Sequence, residues 1–226
     1  MIDFHIHVTP FDTGGAQGGL LPTEALRLAR CAGFRAVGLI VRADASSLSF
    51  LFPALLLLVR NCSLYAGVEA FAGVELVHVP PALLPDAVAE ARSMGAKLVL
   101  AHGETIVRNP ATTVETGTNL AAIAAGVDIL AHPGLITPQD AAFAAEKGVR
   151  LELSLAPWHC LANAHIVRAA TLANAPLLLN SDARTPADFY PPDATRTLRQ
   201  SAALGATADP AALAAEARKL AQSLLR

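Results

Sequence analysis

Short apolar runs alternate with amphipathic, alanine- and leucine-rich segments from one end of the chain to the other. The runs predict strands over residues 1–6, 36–41, 66–75, 97–102, 128–132, 150–154 and 176–180. Between them a helical period predicts helices over 22–33, 47–60, 81–94, 117–125, 137–147 and 160–173, with more helix after 186 and a last one over 209–225. Gly33, Gly95, Gly126 and Gly148 stand between a helix and the next strand, where a glycine stops a helix by taking a left-handed conformation. Strict strand–helix alternation implies a parallel sheet. Seven such units in 226 residues favour a closed or nearly closed (β/α)7 TIM-like barrel over an open sheet. No linker, low-complexity tail or short repeat divides residues 1–226, so one domain is expected, with the final helix as a packing element.

Composition adds bounds to this picture. Apolar residues make up 53% and aromatic residues 5%, so Ala, Leu and Val must build the core, as suits buried parallel strands under alanine-rich helices. The net charge is −2 and no run of Lys or Arg exceeds two residues, which gives no basic surface for nucleic acid. Cys31, Cys62 and Cys160 are odd in number and widely spaced, as expected of incidental thiols in a reducing compartment. No basic segment leads into an apolar one at the N-terminus, so the reading is cytoplasmic without a signal peptide. The most apolar stretch, 48–59, is about half a membrane span and contains Pro53; it reads as a buried helix, with a partner-binding helix as the alternative.

The reactive residues fall at one end of the predicted strands. His5 and His7 close the first, Glu75 the third, His102 the fourth and His132 the fifth, while Asp182 follows the seventh. In a parallel barrel these ends share one face. Side chains alternate along a strand, so His5 and His7 point to the same side, and two adjacent imidazoles in an apolar strand are hard to satisfy except as metal ligands. Glu75, after Ala-Gly-Val, is a buried carboxylate that needs a cation or good donors. Singly, His102 and His132 could cap a strand end, and Asp182 a helix. Jointly they point to a metal centre. Imidazole and carboxylate without thiolate suit Zn, Mn or Fe, and a shared carboxylate such as Glu75 can bridge two divalent ions.

The motifs Asp3-Phe-His5-Ile-His7, Gly73-Val-Glu75, Ala131-His132-Pro133 and Ser181-Asp182-Ala183 resemble the PHP (polymerase and histidinol phosphatase) superfamily over residues 1 to about 190. The resemblance implies a distorted (β/α)7 barrel that hydrolyses phosphate esters with two or three metal ions. It implies a first ion on His5, His7 and Asp182, a second on His102 and His132, and Glu75 between them; Asp12 matches an acidic residue that follows His-X-His. Two positions depart from the pattern. Arg42 and Arg184 stand where the family has histidines for a third metal, and arginine has no lone pair to offer one. The expectation is that these guanidinium groups bind phosphate oxygens in place of the third cation, with Asp12 orienting one of them. His159 is placed towards the substrate, and Glu104 behind a ligand histidine. His78 and His165 read as rim or helix-capping residues, and Pro157-Trp158 as loop packing.

The leading expectation is therefore a two-metal phosphoesterase acting on a small phosphorylated metabolite, with no nucleic-acid or membrane partner. One alternative is a binding or regulatory protein that keeps the fold without turnover. Another is a metal-dependent amidohydrolase, a barrel class that also opens with His-X-His. That class often carries a bridging lysine, whereas here Glu75 takes the analogous place and Lys97 opens its strand at the other end.

Overall fold

A computed structural model describes residues 1–9, 19–106, 113–189 and 208–226, the side chains of 63–66 excepted. Seven strands form one sheet in sequence order: β1 (Ile2–His7), β2 (Ala36–Ala43), β3 (Glu69–Leu76), β4 (Leu98–His102), β5 (Ile129–Ala131), β6 (Arg150–Ser154) and β7 (Leu177–Asn180). Every adjacent pair is parallel. The helices α1 (Pro22–Cys31), α2 (Leu48–Ala66), α3 (Leu84–Ser93), α4 (Thr118–Ala125), α5 (Pro138–Lys147) and α6 (Asn163–Ala173) fill the crossovers, followed by the short α7 (Pro186–Phe189) and the terminal α8 (Pro210–Leu224). This is the nearly closed single-domain α/β barrel that the alternation predicts.

The last and first strands meet at a short seam. Just beyond β7, Ala183 bridges Ile6 in parallel. The His7 N–H donates to the Ala183 carbonyl (2.8 Å) and the Ala183 N–H to that of His5 (3.2 Å). Lower down, side chains replace backbone pairing: Asn180 Oδ1 accepts from the Phe4 N–H and Asp3 Oδ2 from the Ser181 N–H, both at 3.0 Å.

Alternation divides the apolar residues into two clusters. Outward positions such as Val37, Leu39, Val74, Val99 and Leu151 pack against the helices. Inward positions, Phe4, Ile40, Phe71, Leu98, Leu100, Ile129 and Leu178, fill the barrel itself. The terminal helix completes that inner cluster with Leu220 and Leu224. It is tied to the N-terminal ends of β4 and β6 by Lys97 Nζ on the Leu224 carbonyl (3.0 Å) and Arg150 Nε on Glu216 (2.9 Å). One mouth of the barrel is thereby floored.

Helix α2 continues past its expected end at residue 60 because nothing breaks it before Gly67, which takes the left-handed conformation at φ 64°. Leu48, Phe52, Leu55 and Val59 are buried against the sheet, while Phe50 and Leu57 are exposed. Among the described residues no helix is long and apolar enough to cross a membrane. Gly33, Gly95, Gly126 and Gly148 all have positive φ, as expected of helix-ending glycines.

Candidate metal centre

Along β1 the inward side begins with Phe4, yet Ile6 packs outside among the helix-facing residues. Two residues of equal parity on opposite faces require a break in the alternation. It lies between Asp3 and Ile6, where Phe4 and His5 together oppose the single residue Gly38 of β2. This is a β-bulge, a device that re-aims side chains near active sites. Gly38 is required there, since a Cβ would lie 2.6 Å from the Phe4 carbonyl oxygen and 2.8 Å from Leu98 Cδ2. The bulge leaves His5 and His7 facing the C-terminal mouth, with ring centroids 4.6 Å apart.

Elsewhere around the mouth backbone conformation serves the same end. His132, just past β5, has φ 36°, and Asp182, just past β7, has φ 52°. A left-handed backbone costs a non-glycine residue on the order of 1–3 kcal/mol, and such outliers gather at functional sites. The His132 N–H is held by Glu152 Oε2 at 3.2 Å.

Six expected residues meet in this space: His5, His7, Glu75, His102, His132 and Asp182, all buried. Glu75 is central. Its Oε2 lies 3.9 Å from His5 Nε2 and 3.8 Å from His7 Nε2, and its Oε1 lies 3.7 Å from His132 Nε2. Asp182 Oδ1 accepts from His7 Nε2 at 2.8 Å and from an Arg184 terminal nitrogen at 3.0 Å. His159 is also buried, stacked on His132 with centroids 3.8 Å apart and planes 4° apart. Three buried groups bring ligand atoms within 4.8 Å of one another: His5, His7 and Glu75; His102, His132 and His159; and His5, His132 and Glu152.

Glu152 was not anticipated from the sequence. It lies in β6 between Leu151 and Leu153, with no exposed surface. Its Oε1 takes His5 Nδ1 (2.9 Å) and Asn180 Nδ2 (2.7 Å), and its Oε2 takes His5 Nδ1 (3.1 Å) and the His132 N–H. Both oxygens are therefore engaged, which marks Glu152 as a brace for the histidines. The available signal was a glutamate inside an apolar strand, the same signal that singled out Glu75.

Fixing one ring nitrogen exposes the other. His5 gives Nδ1 to Glu152, and His102 gives Nδ1 to the Gly103 carbonyl at 2.9 Å. His5 Nε2, His102 Nε2, His132 Nε2, both Glu75 oxygens and Asp182 Oδ2 are buried without a hydrogen-bond partner. Buried polar atoms ordinarily have partners. A cluster of unpaired imidazole nitrogens and carboxylate oxygens is the donor set a divalent cation of the Zn, Mn or Fe type takes.

The electrostatics point the same way. Burial lowers His7 to about 4, against its hydrogen bond to Asp182. Burial and the neighbouring His132 lower His102 to about 3 and His159 to about 2. These rings are neutral at pH 7, the state that ligates metal. Burial opposes charge on Glu75 and Asp182, but the histidines outweigh it and hold both carboxyls well below the usual range. Burial likewise opposes charge on His5, yet Glu152, Glu75 and Asp182 hold it well above the ordinary imidazole value. His5 is thus the ring that would exchange a proton for an ion.

Other expected residues are placed differently. Glu104 is not the expected brace for one of the clustered histidines. Its Oε1 accepts from the Gly117 and Asn119 N–H groups, both at 3.0 Å, and so caps the start of α4. Asp12 lies outside the described residues. Arg42 and Arg184 reach the centre from β2 and from just beyond β7; Arg42 Nε lies 3.3 Å from Glu75 Oε2. His165 Nε2 donates to the Ile136 carbonyl at 2.7 Å and ties the start of α6 to the loop after β5.

No family model matches the sequence. Among solved structures the chain is similar to an amidohydrolase (17% identity, TM-score 0.56, 100% of this chain and 73% of that one). It is also similar to a Xaa-Pro dipeptidase with methionine in its active site (14%, 0.59, 100% and 75%) and to ochratoxinase from A. niger (15%, 0.56, 98% and 69%). At these identities the likeness establishes the fold. The comparisons overturn the expected PHP membership: these similar structures are an amidohydrolase, a dipeptidase and an ochratoxinase, and none of the three is a PHP protein. The physical reason is that His-X-His at the end of a first strand, with later His and Asp at other strand ends, is what a parallel barrel needs to hold metal in its mouth. Such motifs report a chemistry before they report an ancestry. The uncharacterized protein MJ1295 of Methanocaldococcus jannaschii is 33% identical over 189 residues, which span 83% of each chain. On that likeness, the chain belongs to the same family as MJ1295.

Proposed function

We propose that the chain is a metal-dependent hydrolase that cleaves an amide-type carbon–nitrogen bond in a small molecule. The observation that carries the proposal is the convergence of His5 Nε2, His102 Nε2, His132 Nε2, Asp182 Oδ2 and both Glu75 oxygens, all buried and unpaired, at one mouth of the barrel. The names of the similar structures, an amidohydrolase and a dipeptidase, support a carbon–nitrogen bond as the target. The phosphoesterase expectation rested on the PHP resemblance and loses its support with it.

In this reading His5, His7, Asp182 and Glu75 would hold one ion, and His102, His132 and His159, with Glu75 beside them, would hold a second. His159 thereby moves from the substrate side to the metal side, because its ring stacks on His132 rather than opening towards solvent. The ions would supply Lewis acidity towards a carbonyl oxygen and make a water available as hydroxide near neutral pH. The chain's residues do the positioning. Glu152 keeps the proton of His5 on Nδ1, so that Nε2 is the face presented to the mouth. Arg184 steadies Asp182.

The test is metal analysis of the purified protein together with turnover of N-acyl amino acids, dipeptides, lactams and p-nitrophenyl phosphate under added Zn, Mn or Fe. Amide or lactam hydrolysis that a chelator removes and metal restores is the expected result. Metal-dependent cleavage of the phosphate ester alone, or protein that neither binds metal nor turns over any compound, would overturn the reading.

A further inference from the structure

Strand order places Arg42 and Arg184 on one side of the mouth. Arg42 lies near the end of β2 and Arg184 just after β7, so they flank β1 and its two histidines. Among the described residues they are the only arginine or lysine side chains at the C-terminal strand ends or in the loops that follow them. Each guanidinium is engaged on its inner side only. Arg184 gives one terminal nitrogen to Asp182 while its buried Nε has no partner. Arg42 approaches Glu75 at 3.3 Å without the alignment of a hydrogen bond, and its buried Nε is likewise unpaired. Both side chains remain about a third exposed, at 32% and 27%.

Charge gives these groups a direction. Once His5 has given up its proton, three carboxylates, Glu75, Glu152 and Asp182, stand against two guanidinium groups, leaving one negative charge. A single divalent ion reverses that balance, and a second makes the mouth strongly positive. The opposite rim, on the loops after β4, β5 and β6, exposes Ile106, Leu135, Trp158 and Leu161. A ligand spanning the mouth therefore meets cations at one end and apolar side chains at the other.

We infer that Arg42 and Arg184 form the subsite for a carboxylate carried by the substrate next to its scissile amide, with the apolar remainder of the substrate over the β4–β6 rim. The inference rests on the amide-hydrolase reading and names its substrate class. A guanidinium presents a planar fork of donors that matches the two oxygens of a carboxylate, which a lysine cannot reproduce. Charge-assisted bonds of this kind are worth roughly 10- to 100-fold in affinity each.

The experiment is calorimetric titration of the zinc-loaded protein with N-acetylleucine and with its uncharged amide, N-acetylleucinamide. The acid is expected to bind at least about tenfold more tightly. Arg42→Ala and Arg184→Ala should each reduce that preference about tenfold or more, Arg→Lys only partly restoring it, when the variants are compared with the parent at equal zinc occupancy by mass spectrometry. Equal binding of acid and amide, or a preference that survives both substitutions, would overturn the inference even if amides are hydrolysed. A preference lost in both variants, in a protein that hydrolyses no amide, would leave the carboxylate subsite standing and remove the hydrolase reading. Competition by inorganic phosphate but not by the acid would assign the arginines to phosphate and overturn the inference.

Discussion

At the scale of single residues, the centre depends on side chains that hold other side chains. Glu152 fixes the His5 ring, the His132 backbone and Asn180 at once. Glu152→Gln keeps the shape but forces an amide N–H against one of three donors, so metal affinity should fall about 10- to 100-fold with little change in fold. Zinc titration with circular dichroism as the fold control checks this. Proton linkage gives a second expectation. His7 and His102 are lowered to about 4 and about 3, below the 6.5 of an unperturbed imidazole. Between pH 6.5 and 4 the unfolded chain binds protons that the folded chain refuses, so metal-free stability falls as pH drops through that window. Asp3, which burial raises to about 6, binds its proton in the folded state and offsets part of the loss. His5, raised, takes stability away as pH rises above 6.5. Urea midpoints measured in a chelator should therefore peak near neutrality, and His102→Asn should flatten the acid limb.

At the scale of elements, the sequence was legible where the physics is local. The apolar runs located all seven strands, and helix-ending glycines marked the joints between helices and strands. The convergence of His5, His7, Glu75, His102, His132 and Asp182 followed from one fact, that parallel strands end on one face. What stayed hidden was non-local. A period of two places His5 and His7 together but cannot say which face of the sheet they take; the bulge opposite Gly38 decides that. Glu152 reads as one charge in an apolar strand until closure of the barrel brings β6 within reach of β1. The family, too, was misread, because histidines and carboxylates at the ends of parallel strands can converge in barrels of more than one kind. The bulge yields a direct expectation. Gly38→Ala sets a methyl against backbone at 2.6 Å, where nothing flexible can yield. The substitution should cost about 1–3 kcal/mol of stability and weaken zinc binding as well, since relief requires moving Phe4 and His5. Gly33→Ala, whose Cβ meets nothing within 4 Å, is the comparison: strained at φ 79° but remote from the metal.

At the scale of the molecule, the barrel is a container with a floor and a mouth. The terminal helix supplies the floor through Leu220 and Leu224 inside the strands. Leu220→Ala should remove about 2–4 kcal/mol while leaving zinc affinity near that of the parent, because the apolar layer around Phe4, Leu98 and Leu178 separates the helix from the ligands. Thermal unfolding and zinc titration of the same variant test the separation. If affinity falls in step with stability, floor and mouth are one cooperative unit.

The seam between β7 and β1 carries a consequence for how the molecule breathes. Elsewhere neighbouring strands pair along backbone ladders, with a bulge between β1 and β2, but here the join rests on two backbone bonds around Ala183 and on the side chains of Asn180 and Asp3. His5 and His7 lie on one side of that join and Asp182 on the other. An ion held by all three would rivet the ends of the sheet together, so its arrival would turn an openable cylinder into a hoop. Hydrogen exchange should then show the amides of Phe4, His7 and Ala183 slowing on zinc addition far more than those of β3 and β4, and the loading of the site would be written in the mechanics of its wall.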